Sequence, residues 1–276
     1  MASAQASGLR PTRREAVYLI ALALLAIVIQ LLALPDQPGG PDMTTYVAIA
    51  RDELSKVGFW SDPQSFVENF WAMAYPTFLA VVMRFLGDDL TRVLYLQIVM
   101  AASLVLVPWM LASRLPKSVQ RGAPAILAVC PALWWMGTSI GYEVLLAWLL
   151  CFSLALAWVV FEGRESAPSG LHLVYAGISG ILTAGALLTQ TKTLAVLPVL
   201  AYLLIKAGRK TALAGLAGLI LGLLPWMIRN LFVLGTPSPL TGNAGYNLWV
   251  GNNPDAVNGG SMLVAPPVPA GETMTS

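Results

Sequence analysis

The sequence predicts an all-α integral membrane protein with about seven transmembrane helices. Apolar residues make up 57% of the chain and charged residues only 11%, whereas soluble domains carry about 25% charged residues. Apolar runs recur along the chain, several of them near the roughly 20 residues that cross a bilayer. The net charge is +2 and no basic stripe with interleaved aromatic residues is present, so the composition does not indicate a nucleic-acid-binding protein.

The first apolar run, residues 16–34, predicts a retained transmembrane helix. It is longer than the apolar core of a cleaved signal peptide and lacks a small-residue cleavage site. Three arginines precede it, which predicts a cytoplasmic tail over residues 1–15. Residues 35–73 then form a first external loop with six acidic side chains.

Further apolar runs predict the rest of a transmembrane domain that covers residues 16–235, followed by an external loop over residues 236–276. The predicted crossings are residues 90–115, 123–136, 141–161, 171–188, 193–205 and 211–228. The run 74–86 is too short to cross and predicts a re-entrant or interfacial helix. Pro124 and Pro131 are expected to kink the third crossing, and Gly218 and Gly222 form a G-x-x-x-G pair suited to close helix packing.

The charges agree with this topology. With the N-terminus in the cytoplasm, ten Lys and Arg residues fall in cytoplasmic segments and six outside, while only three of the fourteen acidic residues are inside. This matches the positive-inside rule. The short segments 123–136 and 193–205 are the weakest crossings, and the loss of one would invert every later loop.

Several polar residues are predicted at the same external membrane boundary. Asp42 and Tyr46 are spaced i,i+4, so they share one face if this part of the first loop is helical; the neighbouring apolar stripe of Met43, Val47, Ala50 and Leu54 is expected on the membrane surface. The remaining members lie at helix ends and are Glu143, Lys192, Arg229 and Asn230.

An acid near two cations at a lipid interface suits group transfer from a lipid-phosphate donor. The acid accepts a proton from an acceptor hydroxyl, and the cations stabilise the charge on a departing phosphate. Simpler interpretations exist for each residue: Asp42 as a helix-start acid, Tyr46 as an interfacial anchor, Glu143 as a structural ion-pair partner, and Lys192 and Arg229 as snorkelling cations. The two cysteines lie in apolar runs and His172 is the single histidine, so no metal site is indicated.

Several motifs in order along the chain resemble a known family. They are D-x-x-x-Y (Asp42, Tyr46), YPTFLAVVMRFLGDDLTRVL, Tyr142-Glu143, LLTQTK, PWMIRNLFVLGTP and GYNLWVGNNPDA. Together they resemble the N-terminal half of the dolichyl-phosphate-mannose–protein mannosyltransferase-like branch (glycosyltransferase family 39-like) of membrane glycosyltransferases with the GT-C fold. The resemblance implies a chain truncated at its C-terminus, since relatives continue through further spans. The acid pair of many members is here Asp42-Met43, which argues against a two-carboxylate mechanism at that point.

The resemblance implies transfer of a hexose such as mannose from a polyprenyl-phosphate donor to a hydroxyl of a protein, glycan or lipid acceptor, with inversion at the anomeric carbon. By position, Asp42 resembles the first-loop acid, Glu143 a second acid at the start of a span, and Lys192 a basic residue at a turn. No cofactor is required, and a divalent metal is compatible with this chemistry. The expected location is a bacterial plasma membrane. The alternatives are a lipid-carrier transporter or flippase and a non-catalytic membrane protein.

Overall fold

The computed structural model describes residues 11–40, 42–55, 72–111, 115–165, 170–238 and 252, and the regular elements in these ranges are all helical. The prediction of an all-α protein is confirmed. The α-helices are α1 (Arg13–Leu32), α2 (Met43–Ser55), α3 (Ala74–Leu86), α4 (Leu90–Ser103), α5 (Leu106–Leu111), α6 (Lys117–Ala128), α7 (Pro131–Thr138), α8 (Glu143–Glu162), α9 (Gly170–Thr189), α10 (Leu197–Ala207) and α11 (Arg209–Leu234). Two 3₁₀ helices, Gly163–Glu165 and Thr191–Val196, follow α8 and α9.

Five helical segments in the described ranges are long and apolar enough to cross a membrane, which indicates a membrane-embedded protein. They are Arg13–Leu32, Leu90–Leu111, Glu143–Glu162, Gly170–Thr189 and Arg209–Phe232. These correspond to five of the predicted crossings. The helix Ala74–Leu86 is shorter, as predicted.

The other two predicted crossings are divided rather than continuous helices. Residues 123–136 fall on α6 and α7, which are separated at Val129 and Cys130. The break comes directly before Pro131, which begins α7. Inside a continuous helix, a proline has no N–H to donate to the carbonyl four residues earlier, and its ring clashes with that carbonyl. Pro124, by contrast, lies inside α6 and does not end it. Residues 193–205 fall on the second 3₁₀ helix and α10.

In the N-terminal half, α1 and the α6–α7 pair run in the same direction. Lys117 Nζ lies 3.4 Å from Glu15 Oε1, and the Tyr18 hydroxyl donates to the Arg121 carbonyl oxygen at 2.8 Å. Near the other end of α1, the Gln30 side chain lies against Gly137. Residue numbers therefore increase in the same direction along α1 and along the α6–α7 pair, so the two are parallel.

The α4–α5 pair runs against α7 and with α8. Gln97 Nε2 donates to the Ser139 carbonyl oxygen at 2.6 Å, and Ala101 Cβ lies against Gly137 one turn further along α4. The indole N–H of Trp148 in α8 donates to Ser103 Oγ at 3.0 Å. We call the end of the bundle that holds Ser139 the upper end and the opposite one the lower end.

Helices α8 and α9 form an antiparallel hairpin joined at the lower end. Ser153 Oγ lies 2.9 Å from the Ser179 carbonyl oxygen and 2.6 Å from Thr183 Oγ1. These hydroxyl groups satisfy one another in an otherwise apolar interface. Where no water is available, such pairing avoids the cost of an unpaired polar group.

Helices α9 and α11 lie parallel and in unusually close contact. A Cβ at Gly218 would overlap the Gly177 carbonyl group, and one at Gly180 would overlap the Gly215 carbonyl group. Further up, Gly222 lies against Ala184. The predicted G-x-x-x-G packing of Gly218 and Gly222 is confirmed.

Because α9 and α11 are parallel, the chain between them must return to the lower end. The return path is made of the 6-residue 3₁₀ helix and the 11-residue α10. At about 2.0 and 1.5 Å per residue these span roughly 28 Å, close to the length of α9. Within the described residues, the chain thus makes seven passes of alternating direction along the bundle.

Helices α2 and α3 pack together against the upper part of the bundle. Val47 and Ala50 of α2 are buried in a cluster with Leu79 and Met83 of α3. The expected membrane-facing stripe of α2 is therefore wrong for these two residues, because α3 covers the apolar face instead; the side chain of Leu54 lies outside the described residues. Arg51 Nε lies 3.0 Å from Asp88 Oδ2 and holds α2 to the α3–α4 turn.

Candidate functional site at the upper end

The segment before α2 carries Asp42 to the upper end of the bundle. The Ile140 amide donates to the Gly39 carbonyl oxygen at 2.8 Å, so this segment lies against the α7–α8 turn. Asp42 is exposed and has a φ of 55°, a left-handed conformation that aspartate tolerates better than most residues. Its carbonyl oxygen accepts a hydrogen bond of 3.1 Å from the Tyr46 amide, which begins the helix. The predicted helix is present from Met43 onward; Asp42 lies just before it, and its carbonyl oxygen, rather than a shared helical face, joins it to Tyr46.

Tyr46 belongs to a cluster of three tyrosines from three helices or their ends. Its ring is edge-on to Tyr75 at 5.2 Å and to Tyr142 at 6.4 Å between centroids. Edge-to-face contacts at such distances are favourable for aromatic rings. We call Tyr46, Tyr75 and Tyr142 the tyrosine cluster. Since Tyr46 is only 4% exposed, it is a packed residue and not an interfacial anchor facing lipid.

Glu143 joins this cluster from the start of α8. Its carboxylate folds back over Gly141, where a Cβ would overlap Oε2. The helix N-terminus favours a negative charge at this position. Burial raises the pKa of the Tyr46 phenol above its ordinary value, and the charges of Asp42 and Glu143 raise it further. Both carboxylates therefore act on Tyr46, which remains a neutral hydrogen-bond donor at neutral pH.

A chain of hydrogen bonds fixes the loop that presents Tyr142 and Glu143. The Tyr75 hydroxyl donates to Gln97 Oε1 at 2.7 Å, and Gln97 Nε2 donates to the Ser139 carbonyl oxygen. Tyr75 and Gln97 are both fully buried. Burial raises the pKa of Tyr75. Sequence patterns do not single out either residue, although an isolated glutamine in an apolar run indicates a buried polar contact.

An apolar cavity of about 480 Å³ opens beside this cluster. It lies between α3 and the upper parts of α8, α9 and α11. Its lining residues are Met73, Ala74, Thr77, Phe78, Val81, Leu145, Leu149, Leu188, Gly222, Pro225, Trp226, Ile228 and Arg229. A cavity of this size and composition accommodates an apolar chain or a small ligand.

Arg229 is the cation that lines this cavity. The residue is only 4% exposed, and its guanidinium carbon lies 4.9 Å from the Trp226 ring centroid. Arg229 Nη1 also donates to Asn230 Oδ1 at 3.0 Å, while Asn230 Nδ2 donates to the Ser238 carbonyl oxygen at 2.8 Å. Asn230 therefore positions both the arginine and the segment that follows α11. A buried arginine in an apolar cavity is suited to an anionic group.

The structure brings five of the predicted residues into two adjacent groups. Asp42, Tyr46 and Glu143 form one, and Arg229 and Asn230 the other. Lys192 lies separately, exposed in the 3₁₀ helix after α9, and does not line the cavity. Most of the predicted GYNLWVGNNPDA motif and residues 56–71 of the first loop lie outside the described residues. Among those described, no group of three or more His, Cys, Asp and Glu side chains is placed to hold a metal ion.

Comparison with models of known protein families, with curated proteins and with solved structures finds no match to this chain.

Proposed function

We propose that the protein is a GT-C-type membrane glycosyltransferase that moves a hexose, such as mannose, from a polyprenyl-phosphate donor to an acceptor hydroxyl. The sequence motifs that resemble the mannosyltransferase-like branch suggest the chemistry. One observation supports it best. The tyrosine cluster, with the carboxylates of Asp42 and Glu143 beside it, adjoins the cavity that contains Arg229. A lipid-phosphate donor needs both an apolar site and a cation, and the acceptor needs a base.

Two elements join the cluster to the cavity. In α3, the Phe78 ring stacks on Tyr75 at 6.0 Å between centroids and also lines the cavity. In α8, Leu145 packs in the apolar core around Tyr46 and lines the cavity from the other side. Phe78 and Leu145 therefore lie between the tyrosine cluster and the cavity, and we propose that the sugar of a bound lipid donor extends past them toward Asp42.

The proposed reaction is a single displacement at the anomeric carbon. The acceptor oxygen attacks that carbon as the bond to the phosphate oxygen breaks, and the polyprenyl phosphate departs with the bonding electrons. Asp42 accepts the proton of the acceptor hydroxyl, and Arg229 stabilises the negative charge on the leaving phosphate. Tyr46, as a neutral donor, orients Asp42 or the sugar, and Glu143 completes the polar surface. Lys192 is exposed at the same end and contributes positive potential.

The membrane arrangement in this proposal is seven crossings with the N-terminus in the cytoplasm and the upper end outside. The alternating passes support it, because the two divided segments each cover the length of a neighbouring spanning helix. The lower end also carries Arg13, Lys117 and Arg121, as the positive-inside rule requires for the cytoplasmic side.

Single cysteines at Thr44 and Gly122, in a chain whose Cys130 and Cys151 are replaced by serine, test this orientation in the membrane. Thr44→Cys should react with an impermeant reagent from outside and Gly122→Cys from inside; the reverse pattern would overturn the orientation.

The catalytic test is release of labelled mannose from polyprenyl-phosphate mannose in proteoliposomes. Asp42→Asn should lower the rate by about 100-fold or more, the usual contribution of a general base. Asp36→Asn removes an exposed acid from the same loop and should leave the rate unchanged. Equal rates in the wild type and Asp42→Asn would exclude Asp42 as the base.

The cavity is tested with Arg229→Gln, compared with Arg84→Gln, which removes an exposed arginine near the same end. The Arg229 variant should raise KM for the donor and lower kcat, since a phosphate contact acts in both the bound and transition states.

If the wild type releases no sugar but moves the lipid between leaflets, the protein is a lipid-carrier transporter and not a transferase.

A further inference from the structure

A line of cations and aromatic rings occupies the lower end, far from the cavity. The Arg164 guanidinium carbon lies 4.0 Å from the Phe161 ring centroid, and Lys206 Nζ lies 5.9 Å from that of Tyr202. The Phe161 and Tyr202 rings are 6.5 Å apart. These four residues, which we call the cation–aromatic line, join the end of α8 to the end of α10.

Both cations of this line are exposed. Arg164 Nη1 donates to the Phe161 carbonyl oxygen at 3.0 Å, and each ring face attracts its cation. Within the described part of the chain, no ion pair joins either cation to a carboxylate. Glu162, at the end of α8, precedes Arg164 by two residues.

An exposed apolar stripe of α10 leads directly to this line. Val199, Tyr202 and Ile205 are 53%, 56% and 63% exposed and are spaced three residues apart. On the opposite face of α10, Leu203 and Leu204 are buried. The stripe extends for roughly 9 Å along the helix and ends at Lys206. Arg209 and Lys210, both exposed, begin α11 just beyond it.

We infer that this surface binds one anionic phospholipid, with its phosphate on Arg164 and Lys206 and an acyl chain along Val199, Tyr202 and Ile205. The charge selects the head group, because clustered Lys and Arg at a membrane boundary attract anionic lipids. The apolar stripe selects a lipid over a free phosphate. The ring contact and the hydrogen bond of Arg164 favour one arrangement of its guanidinium, whereas a cation that merely extends to the interface has no such contacts. This site is independent of the proposed transferase reaction.

Native mass spectrometry of the full chain in detergent tests the site, with added dioleoyl phosphatidylglycerol or dioleoyl phosphatidylcholine. The wild type should retain one phosphatidylglycerol in preference to phosphatidylcholine. Arg164→Gln/Lys206→Gln should weaken phosphatidylglycerol binding by about 25-fold, at about fivefold for each cation removed. Tyr202→Leu keeps the apolar stripe but removes the ring under Lys206, and should weaken binding less than the double variant.

The matched control is Arg13→Gln/Arg14→Gln, which removes the same charge from the exposed start of α1 at the same end. It should bind phosphatidylglycerol as the wild type does. The inference is overturned if the wild type shows no preference between the lipids or if the control loses as much affinity as the double variant. It is also overturned if inorganic phosphate displaces the lipid at equal concentration, or if a second copy of the chain occupies the stripe and excludes lipid.

Discussion

The Ile140 amide hydrogen-bonds to the Gly39 carbonyl oxygen at 2.8 Å, and this contact joins the two loops that carry Asp42 and Glu143. Gly39 and Ile140 are about 100 positions apart in the chain. Their contact nevertheless brings the carboxylates of Asp42 and Glu143 close to Tyr46. Next to this contact, a Cβ at Gly40 would overlap the Ile140 carbonyl group. The relative placement of the carboxylates thus depends on a close approach between two backbone segments.

Gly40→Ala should separate these loops and destabilise the protein by about 1–3 kcal/mol, the usual cost of overpacking. The neighbouring Gly39 has open space where its Cβ would lie, so Gly39→Ala is the control and should leave stability nearly unchanged. Thermal unfolding in detergent measures both. If the two variants unfold at the same temperature, the contact between the loops does not determine their position.

Tyr46 should ionise at a higher pH than an ordinary tyrosine, because burial raises its pKa from the usual value of 10.0. The folded state holds the proton more strongly than the unfolded state, so this contribution to stability is full below pH 10 and falls as the pH rises further. Ultraviolet titration of the wild type against Tyr46→Phe isolates its transition. The free energy of unfolding should fall less steeply above pH 10 in the variant, and equal slopes would contradict the assignment.

The Tyr75–Gln97–Ser139 chain should contribute as a unit. Tyr75→Phe or Gln97→Leu alone should each cost about 1–3 kcal/mol, because each leaves a buried polar group unpaired. The double variant should cost less than the sum of the two single variants. Chemical unfolding of the four proteins completes the cycle, and additive costs would show that the two side chains do not act together.

Gly218→Leu should weaken the contact between α9 and α11, since its side chain would overlap the Gly177 backbone. A loss of about 1–3 kcal/mol is expected for overpacking. Gly122→Ala, at a helical glycine with nothing within 4 Å of its Cβ position, should be neutral or stabilising because alanine favours the helix. Unfolding in detergent by sodium dodecyl sulfate measures both, and a Gly218 variant as stable as the wild type would refute the close packing.

Much of the helical framework can be predicted because spanning helices need long apolar runs, and such runs are visible in the sequence. The same reasoning predicts the helix that carries Tyr46 directly after Asp42, since helical periodicity is local, but not the left-handed φ of Asp42 that precedes it. It fails for Val47 and Ala50, because an apolar stripe shows which face is buried but not whether lipid or another helix covers it. Tyr75 and Gln97 are also missed, since their partnership spans 22 residues and depends on the tertiary packing of α3. The cavity around Arg229 needs four separate elements and has no local signature.

The parallel contact between α9 and α11 has a consequence for biosynthesis. Helices α8 and α9 emerge consecutively and can pair as soon as both are in the membrane, because their contacts are close in sequence. The glycine face of α9, in contrast, cannot form its contact with α11 until α10 and then α11 have been synthesised and inserted. Until α11 is inserted, Gly177 and Gly180 have no partner backbone. A photoreactive residue placed at either position, in a nascent chain arrested before Arg209, should therefore crosslink to the insertion machinery.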